Sequence, residues 1–370
     1  MSLKFLIMGS APDSLVNFRG PLIKNIIDKG IEVHVVAPDI FNTDIAKNLE
    51  SLGANVHEIS LSRTGINPFI DIKTIYQLWS LMKKIKPDYF LGYTHKPAIY
   101  GNLAAWIAGV PARFALITGL GYAFLGNKIW LNYIVKFLYR FSLSNAHKII
   151  FQNQDDESLF FNLRILKAKD KKTAVVNGSG VDLNNFEEAP FPKKLTFLLI
   201  ARLLKDKGIR EYFEASRIIK KEYPDIIFGL VGWIDENPSA ISKKDLQNRI
   251  DSGDINFYGR LDDVKPAIIN SSVYVLPSYR EGTPRTVLEA MAMGRPIITT
   301  DAPGCKETVI DGTNGFLVPV KAVEPLAKAM LNFIKNPELI NKMGSQSRII
   351  ATQKYDVKKV NEQMLKHMGI

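Results

Sequence analysis

Short apolar runs alternate with stretches of helical spacing along the whole chain, and this alternation restricts the fold to parallel sheets assembled from βα units. In the first half the pattern predicts strands at 4–8, 32–37, 55–58, 88–91, 113–117, 148–151 and 173–176. In the second half it predicts them at 195–200, 226–231, 255–258, 273–276 and 297–300. Helices of about ten to fifteen residues fit between most of them. A polar, proline-containing stretch, 187–194, lies close to mid-chain and reads as a linker. The expected architecture is α/β, with two Rossmann-like domains, 1–188 and 189–355, facing one cleft. At 370 residues, each half is large enough to bury its own core.

Composition narrows the function classes. A hydrophobic content of 46% with 23% charge belongs to a globular chain rather than a disordered one. A single cysteine, Cys305, rules out an internal disulfide and fits a reducing compartment. The first apolar run is too short for a signal peptide and reads as the first strand. No run of about 18 apolar residues occurs, so no membrane-spanning helix is expected. The net charge of +11 and a pI near 9.4 would suit a nucleic-acid binder. That class leaves the acidic pair Glu281 and Glu289 without a role and sets carboxylates against a phosphate backbone, so no nucleic-acid partner is expected.

Glu281 and Glu289 occupy an informative place. The buried strand expected at 273–276 runs into Tyr279-Arg280-Glu281-Gly282-Thr283-Pro284, and residues 286–293 then have helix spacing with a Gly294–Pro296 stop. Glu281 therefore sits in a loop at a strand's carboxyl end and Glu289 inside the following helix. Loop amides and a helix N-terminus make a site for an anion. Two carboxylates eight residues apart flank it and suit hydroxyls on either side, as in a diphosphate joined to two sugars. Gly282, Thr283, Pro284, Arg285 and Thr286 are expected to line the same site. A second strand end, after 195–200, carries Ala201-Arg202-Leu203-Leu204-Lys205-Asp206-Lys207-Gly208. Arg202 offers a planar fork and Lys207 a point charge, the cations that a departing diphosphate needs.

The first half holds three polar landmarks at expected strand ends. The loop and helix start of residues 9–20 are placed to touch an acceptor through Asn17 and Arg19. Gly92-Tyr93-Thr94-His95-Lys96-Pro97 sets His95 and Lys96 at a sheet edge. Gly119 and Gly121, in Thr118-Gly119-Leu120-Gly121, permit close backbone approach to a ligand. Read as a dinucleotide fingerprint, Gly119-x-Gly121 lacks its third glycine, since Phe124 stands there, and lacks an acidic residue about 20 positions on. No P-loop motif occurs. No Asp-x-Asp and no His/Cys cluster at ligand spacing occur either, so no metal is expected. Asp155-Asp156 and Asp262-Asp263 fit capping roles at helix starts.

Charge is unevenly spread. Residues 89–154 contain no Asp or Glu, yet Lys96, Arg113, Lys128, Lys136, Arg140 and Lys148 all fall there. Within them, Trp130, Ile134, Phe137 and Phe141 share one helical face, widened by Leu131, Val135 and Leu138. This helix suits either an anionic membrane interface or the core of the first domain with a basic outer edge. A carboxylate-free zone also suits an acceptor that carries its own diphosphate.

Glu281-Gly282-x-Pro284-x-x-x-Leu288-Glu289-Ala290, with Ala201-Arg202 and Lys207-Gly208, resembles the donor-site signature of the retaining GT-B glycosyltransferases of family 4. The resemblance implies the GT-B fold, with the last helix, within 356–370, packed back on the first domain. It implies a diphosphate held by Arg202 and Lys207, with Glu281 and His95 joining them in catalysis and no metal required. It implies an acceptor-side role for His95 and Lys96. Arg63-Thr64-Gly65-Ile66-Asn67-Pro68-Phe69, His95-Lys96-Pro97, Arg113-Phe114-Ala115-Leu116-Ile117-Thr118-Gly119-Leu120-Gly121 and Gly232-Trp233-Ile234-Asp235-Glu236-Asn237-Pro238 look like a bacterial subgroup. Its members transfer N-acetylgalactosamine from UDP-N-acetylgalactosamine to undecaprenyl-diphosphate-linked sugars of the diacetylbacillosamine type. That implies work at the cytoplasmic face of the inner membrane, without spanning it. Transferases of O-antigen and capsule synthesis use similar segments with other UDP-sugars, and no residue spacing separates N-acetylgalactosamine from its epimer or from galactose.

Overall fold

A computed structural model describes residues 2–62, 67–119, 129–167, 172–235 and 237–370, the side chains of 129–131 excepted. Two compact units result, Met1–Ser179 with Lys358–Ile370, and Gly180–Val357. Gly121, Lys128, the side chains of Trp130 and Leu131, residues 63–66 and Glu236 lie outside the described residues.

Among the described residues the first unit holds a seven-stranded parallel sheet in the order β3-β2-β1-β4-β5-β6-β7. The strands are β1 (Lys4–Met8), β2 (Glu32–Ala37), β3 (Asn55–Glu58), β4 (Tyr89–Tyr93), β5 (Ala112–Ile117), β6 (Lys148–Phe151) and β7 (Thr173–Val175). They read as near-continuous apolar runs because helices cover both faces: β1 is buried from Phe5 to Met8 and β2 from Val33 to Ala37. The helices are α1 (Pro12–Asp28), α2 (Ile45–Ser51), α3 (Pro68–Ile85), α4 (Asn102–Ala108), α5 (Ile129–Ser144) and α6 (Gln154–Asn162). β1 pairs with β2 on one side and β4 on the other. Right-handed crossovers therefore send α1 and α2 to one face and α3, α4 and α5 to the other.

The second unit holds, among the described residues, a six-stranded parallel sheet in the order β10-β9-β8-β11-β12-β13. Its strands are β8 (Thr196–Ile200), β9 (Ile227–Val231), β10 (Asn256–Phe257), β11 (Val273–Leu276), β12 (Ile297–Thr300) and β13 (Gly315–Val318). Its helices are α7 (Ile209–Lys220), α8 (Lys243–Asp251), α9 (Lys265–Ile269), α10 (Arg285–Ala292), α11 (Val323–Lys335) and α12 (Glu338–Lys354). β13 lies outside the predicted strands. It is short, opens with glycine and is followed by Pro319, so its composition signals a turn; pairing with β12 makes it a strand.

The division at Gly180 precedes the stretch 187–194 expected as linker. Packing accounts for the difference. Phe186 and Ala189 join an apolar cluster of the second unit, and the buried Arg295 donates to the Ala189 and Pro190 carbonyls. The last helix, α13 (Val357–Met368), sets Met364, Leu365 and Met368 into the first unit's core beside Leu22, Ile23 and Ile26. Asn153 caps α6 by accepting from the Asp156 amide at 2.7 Å, and Asp263 accepts from the Lys265 amide at 3.0 Å at the start of α9.

α5 divides its apolar residues between a buried and an exposed face. Tyr139 and Leu143 are fully buried, and Val135 and Leu138 pack on the same core. Tyr133, Ile134, Phe137 and Phe141 stand exposed. Val135 and Leu138 thus turn inward instead of widening the outer face. No helix among the described residues is long and apolar enough to cross a membrane.

Candidate active site

In each sheet, chain order reverses beside the first strand, between β1 and β4 and between β8 and β11. The crevice outside the carboxyl ends of such strands is where open α/β sheets bind ligands. Every described candidate residue lies in a loop or helix that follows the carboxyl end of a strand.

In the second unit the loop after β8 and the loop after β11 are fastened together. The Tyr279 amide donates to the Asp206 carbonyl at 2.8 Å. Gly208 adopts φ +72°, and a Cβ there would sit 2.2 Å from the Pro277 carbonyl oxygen, so only glycine permits this approach. Lys207 is thereby ion-paired with Glu281 Oε1, to which Ser278 Oγ also donates at 2.8 Å. Arg202 Nη1 donates to Asp235 Oδ2 at 2.9 Å. A Cβ on Gly232 would meet the Ala201 carbonyl oxygen at 1.9 Å, so this glycine lets the loop after β9, with Asp235, lie against Arg202. Each cation is held at the sheet edge by a carboxylate, in a position where an anionic ligand can compete for it.

α10 starts where this loop ends. Pro284 occupies its N-cap, and Gly282 is buried beneath the exposed edge. Thr286 Oγ1 lies 2.6 Å from the Tyr274 hydroxyl, and Thr283 Oγ1 donates to the Gly282 carbonyl at 3.0 Å. Arg285 Nε donates to Glu289 Oε1 at 2.8 Å, one helical turn on. Only 7% of the Glu289 side chain is exposed. Burial raises its pKa above the usual carboxylate range, and Arg285 opposes that shift. Below the loop, burial pushes the Cys305 thiol up to about 12, with Glu281 adding to the rise. The thiol stays protonated and is no nucleophile.

The first unit's edge is built differently. Thr94 follows β4 with φ +71°, a strained setting for a β-branched residue, and donates from Oγ1 to Ser10 Oγ at 2.9 Å. The turn it makes presents His95, whose Nδ1 lies 2.6 Å from the Tyr139 hydroxyl. Desolvation lowers the His95 pKa to about 4, so the ring is neutral near pH 7. Lys96, expected beside it, is turned to Asp71, donating to Oδ1 at 2.7 Å while Tyr100 donates to Oδ2 at 2.8 Å. Asn17 is exposed on α1. Arg19, expected to reach an acceptor phosphate, is 1% exposed, with its guanidinium 5.2 Å from the Tyr93 ring centroid and Nη1 3.9 Å from Met364 Sδ. It is packed between α1, β4 and α13, which removes it from the surface. Gly119 has φ +130° at the end of β5.

Sequence reasoning passed over Thr94, Tyr139 and Asp235. Nothing local marks a threonine that must take positive φ, or a tyrosine that meets a histidine 44 residues away. Asp235 lay inside the segment 232–238, and that segment was the available signal.

Residues 181–349 match the family described as Glycosyl transferases group 1, and residues 10–153 match that described as Glycosyl transferase 4-like. The N,N'-diacetylbacillosaminyl-diphospho-undecaprenol alpha-1,3-N-acetylgalactosaminyltransferase of Campylobacter jejuni is 30% identical, across 99% of this chain and 98% of its own length. An Escherichia coli UDP-Gal:alpha-D-GlcNAc-diphosphoundecaprenol alpha-1,3-galactosyltransferase is 26% identical over 75% of this chain and 74% of its own. The fold is shared with Anabaena Alr3699/HepE in complex with UDP and glucose, at a TM-score of 0.79 and 18% identity over 99% of both chains. Sucrose-phosphate synthase from Thermosynechococcus elongatus also shares it, at a TM-score of 0.80 and 17% identity over 98% of both. With both halves matched and a relative similar over the full length, this chain belongs to the family 4 glycosyltransferases and is an enzyme of the GT-B fold.

Proposed function

We propose that this enzyme transfers N-acetylgalactosamine from UDP-N-acetylgalactosamine, with retention, to an undecaprenyl-diphosphate-linked sugar of the diacetylbacillosamine type. It does so at the cytoplasmic face of the bacterial inner membrane, as a peripheral protein. The observation that carries the reaction type is the charged edge of the second unit: Arg202 and Lys207, each paired with a carboxylate, after β8. The choice of sugar and acceptor rests on the activity of the Campylobacter jejuni relative.

On this reading the donor diphosphate takes Arg202 and Lys207 from Asp235 and Glu281. The two cations and the loop amides stabilise the charge that grows on the departing UDP, so the reaction needs no metal. Glu281, released from Lys207, turns to the donor sugar, and Glu289 accepts from the ribose. The bond from the anomeric carbon to the phosphate oxygen breaks as the acceptor oxygen bonds to the same face of that carbon. The acceptor's proton passes to the leaving phosphate oxygen. His95, neutral and held by Tyr139, donates or accepts a hydrogen bond on the acceptor side. Asn17, Lys96 and Gly119 belong to that side by the same reading.

A panel of UDP-sugars, read by mass spectrometry against sugar-diphospholipid acceptors, tests the assignment. Transfer of N-acetylgalactosamine to a diacetylbacillosamine-type acceptor is the expected result. Preference for UDP-galactose on an N-acetylglucosamine acceptor would favour instead the activity of the Escherichia coli relative.

A further inference from the structure

α3, α4 and α5 form one layer over a single face of the first unit's sheet, with α4 between the other two. Their outer surface is aromatic. Phe69, Ile72 and Tyr76 of α3 are 83%, 64% and 63% exposed. Trp106 and Ile107 of α4, and Tyr133, Ile134, Phe137 and Phe141 of α5, are exposed with them. The rings meet across the helices: Trp106 packs edge-on against Phe141 at 5.9 Å, and Phe137 stacks on Phe141 at 6.4 Å. Soluble proteins scatter such residues singly; a clustered aromatic face marks an interaction surface.

Charge on this layer has one sign. In sequence the three helices hold one carboxylate, Asp71, and it is buried against Lys96 and Tyr100. Lys73, Lys83, Lys84 and Arg140 are exposed, and Lys136 Nζ lies 5.9 Å from the Tyr133 ring centroid. The layer on the opposite face differs. There α1, α2 and α13 expose Asp13, Asp28, Glu50 and Glu362 among Lys24, Lys47, Lys358 and Lys366, as an ordinary solvated surface does.

We propose that the three-helix face, α3 included, is the surface on which the enzyme seats itself on an anionic bilayer. Rings at the headgroup level add apolar burial, and the cations face lipid phosphates. The buried Asp71–Lys96 pair keeps the layer's single acid away from that contact. The inference rests on the proposed lipid-linked acceptor and adds to it the surface that meets the lipid.

The test is co-sedimentation of the full chain with vesicles of phosphatidylcholine containing phosphatidylglycerol, and with phosphatidylcholine alone. Wild type is expected on the anionic vesicles, less so at high salt and least on the neutral ones. The sets F69S/I72S/Y76S and Y133S/F137S/F141S should each lower binding on the order of tenfold or more. K83E/K84E should do the same on anionic vesicles alone, and carries the test by itself if an aromatic set fails to fold. UDP binding, and transfer to a soluble acceptor with a short prenyl chain, should be unchanged in all three. Wild-type protein left in the supernatant at low salt would overturn the docking surface. So would an α3 set that binds like wild type, or an aromatic set that merely turns a dimer into a monomer. Failure of the short-chain transfer would instead count against the proposed reaction, since that assay needs no vesicle.

Discussion

At the carboxyl edge of the second unit's sheet, cations stand against carboxylates: Arg202 with Asp235 and Lys207 with Glu281. At the corresponding edge of the first unit stand hydroxyls and a neutral imidazole: Thr94 with Ser10, Tyr93 with Ser14, His95 with Tyr139. The topological device is the same, a reversal of strand order, and its contents differ: the ion pair beside the first edge, Lys96 with Asp71, is turned away into the helix layer. Charge pairs at one edge can exchange partners when an anion arrives. Hydrogen-bonded hydroxyls at the other can offer a substrate only neutral contacts. The difference teaches that a shared fold leaves the chemistry to a few loop residues at each sheet edge.

The largest way to break this contrast is to remove a cation. Lys207→Ala or Arg202→Ala should lower kcat/KM by on the order of 100-fold or more, as loss of a charge-stabilising group does. Near wild-type turnover of Lys207→Ala at saturating acceptor would place the charge handling elsewhere. The two acids sharpen the picture within the charged edge. Glu289→Ala should weaken UDP itself about tenfold or more, the loss of a hydrogen bond to a charged group. Glu281→Ala frees Lys207, so it should leave UDP affinity intact or higher while turnover falls. Calorimetry finding equal UDP affinity in both variants would remove this division of labour.

The neutral edge makes a smaller prediction. Burial lowers the pKa of His95 and of His57 to about 4, against 6.5 for an ordinary histidine. Between those values the unfolded chain takes up protons that the folded chain does not, so stability falls as pH drops from 6.5 toward 4. Thermal melts should give a lower Tm at pH 5 than at pH 7, and His57→Gln should lessen the drop. A Tm that holds steady or rises on acidification would mean the histidines are charged in the folded protein. The smallest expected effect is none at all: transfer should persist in EDTA, because on the proposed reading Arg202 and Lys207 supply the charge that the diphosphate needs. Loss of activity restored by Mg²⁺ or Mn²⁺ would show that the charged edge is incomplete without a metal.

Strand positions were legible because period and burial are local properties. β1, β2, β3, β6, β11 and β12 have the limits that their apolar runs predict. The helix carrying Glu289 was readable from its spacing and its Gly294–Pro296 stop, to within one residue at each end. Partners were not readable. Lys96 meets Asp71 across 25 residues, and Arg19 meets Met364 across 345. No pattern along the chain records such pairs. On α5, two apolar stripes compete for the sheet, and the wheel alone cannot choose between them. The tertiary structure buried Tyr139 and Leu143 and left Phe137 and Phe141 outside. By itself the sequence determined two βα-built halves with motif residues at their strand ends, since spacing and burial act over a few residues. Which cation stands against which acid, and which aromatic face stays open, was decided by packing between segments far apart in the chain.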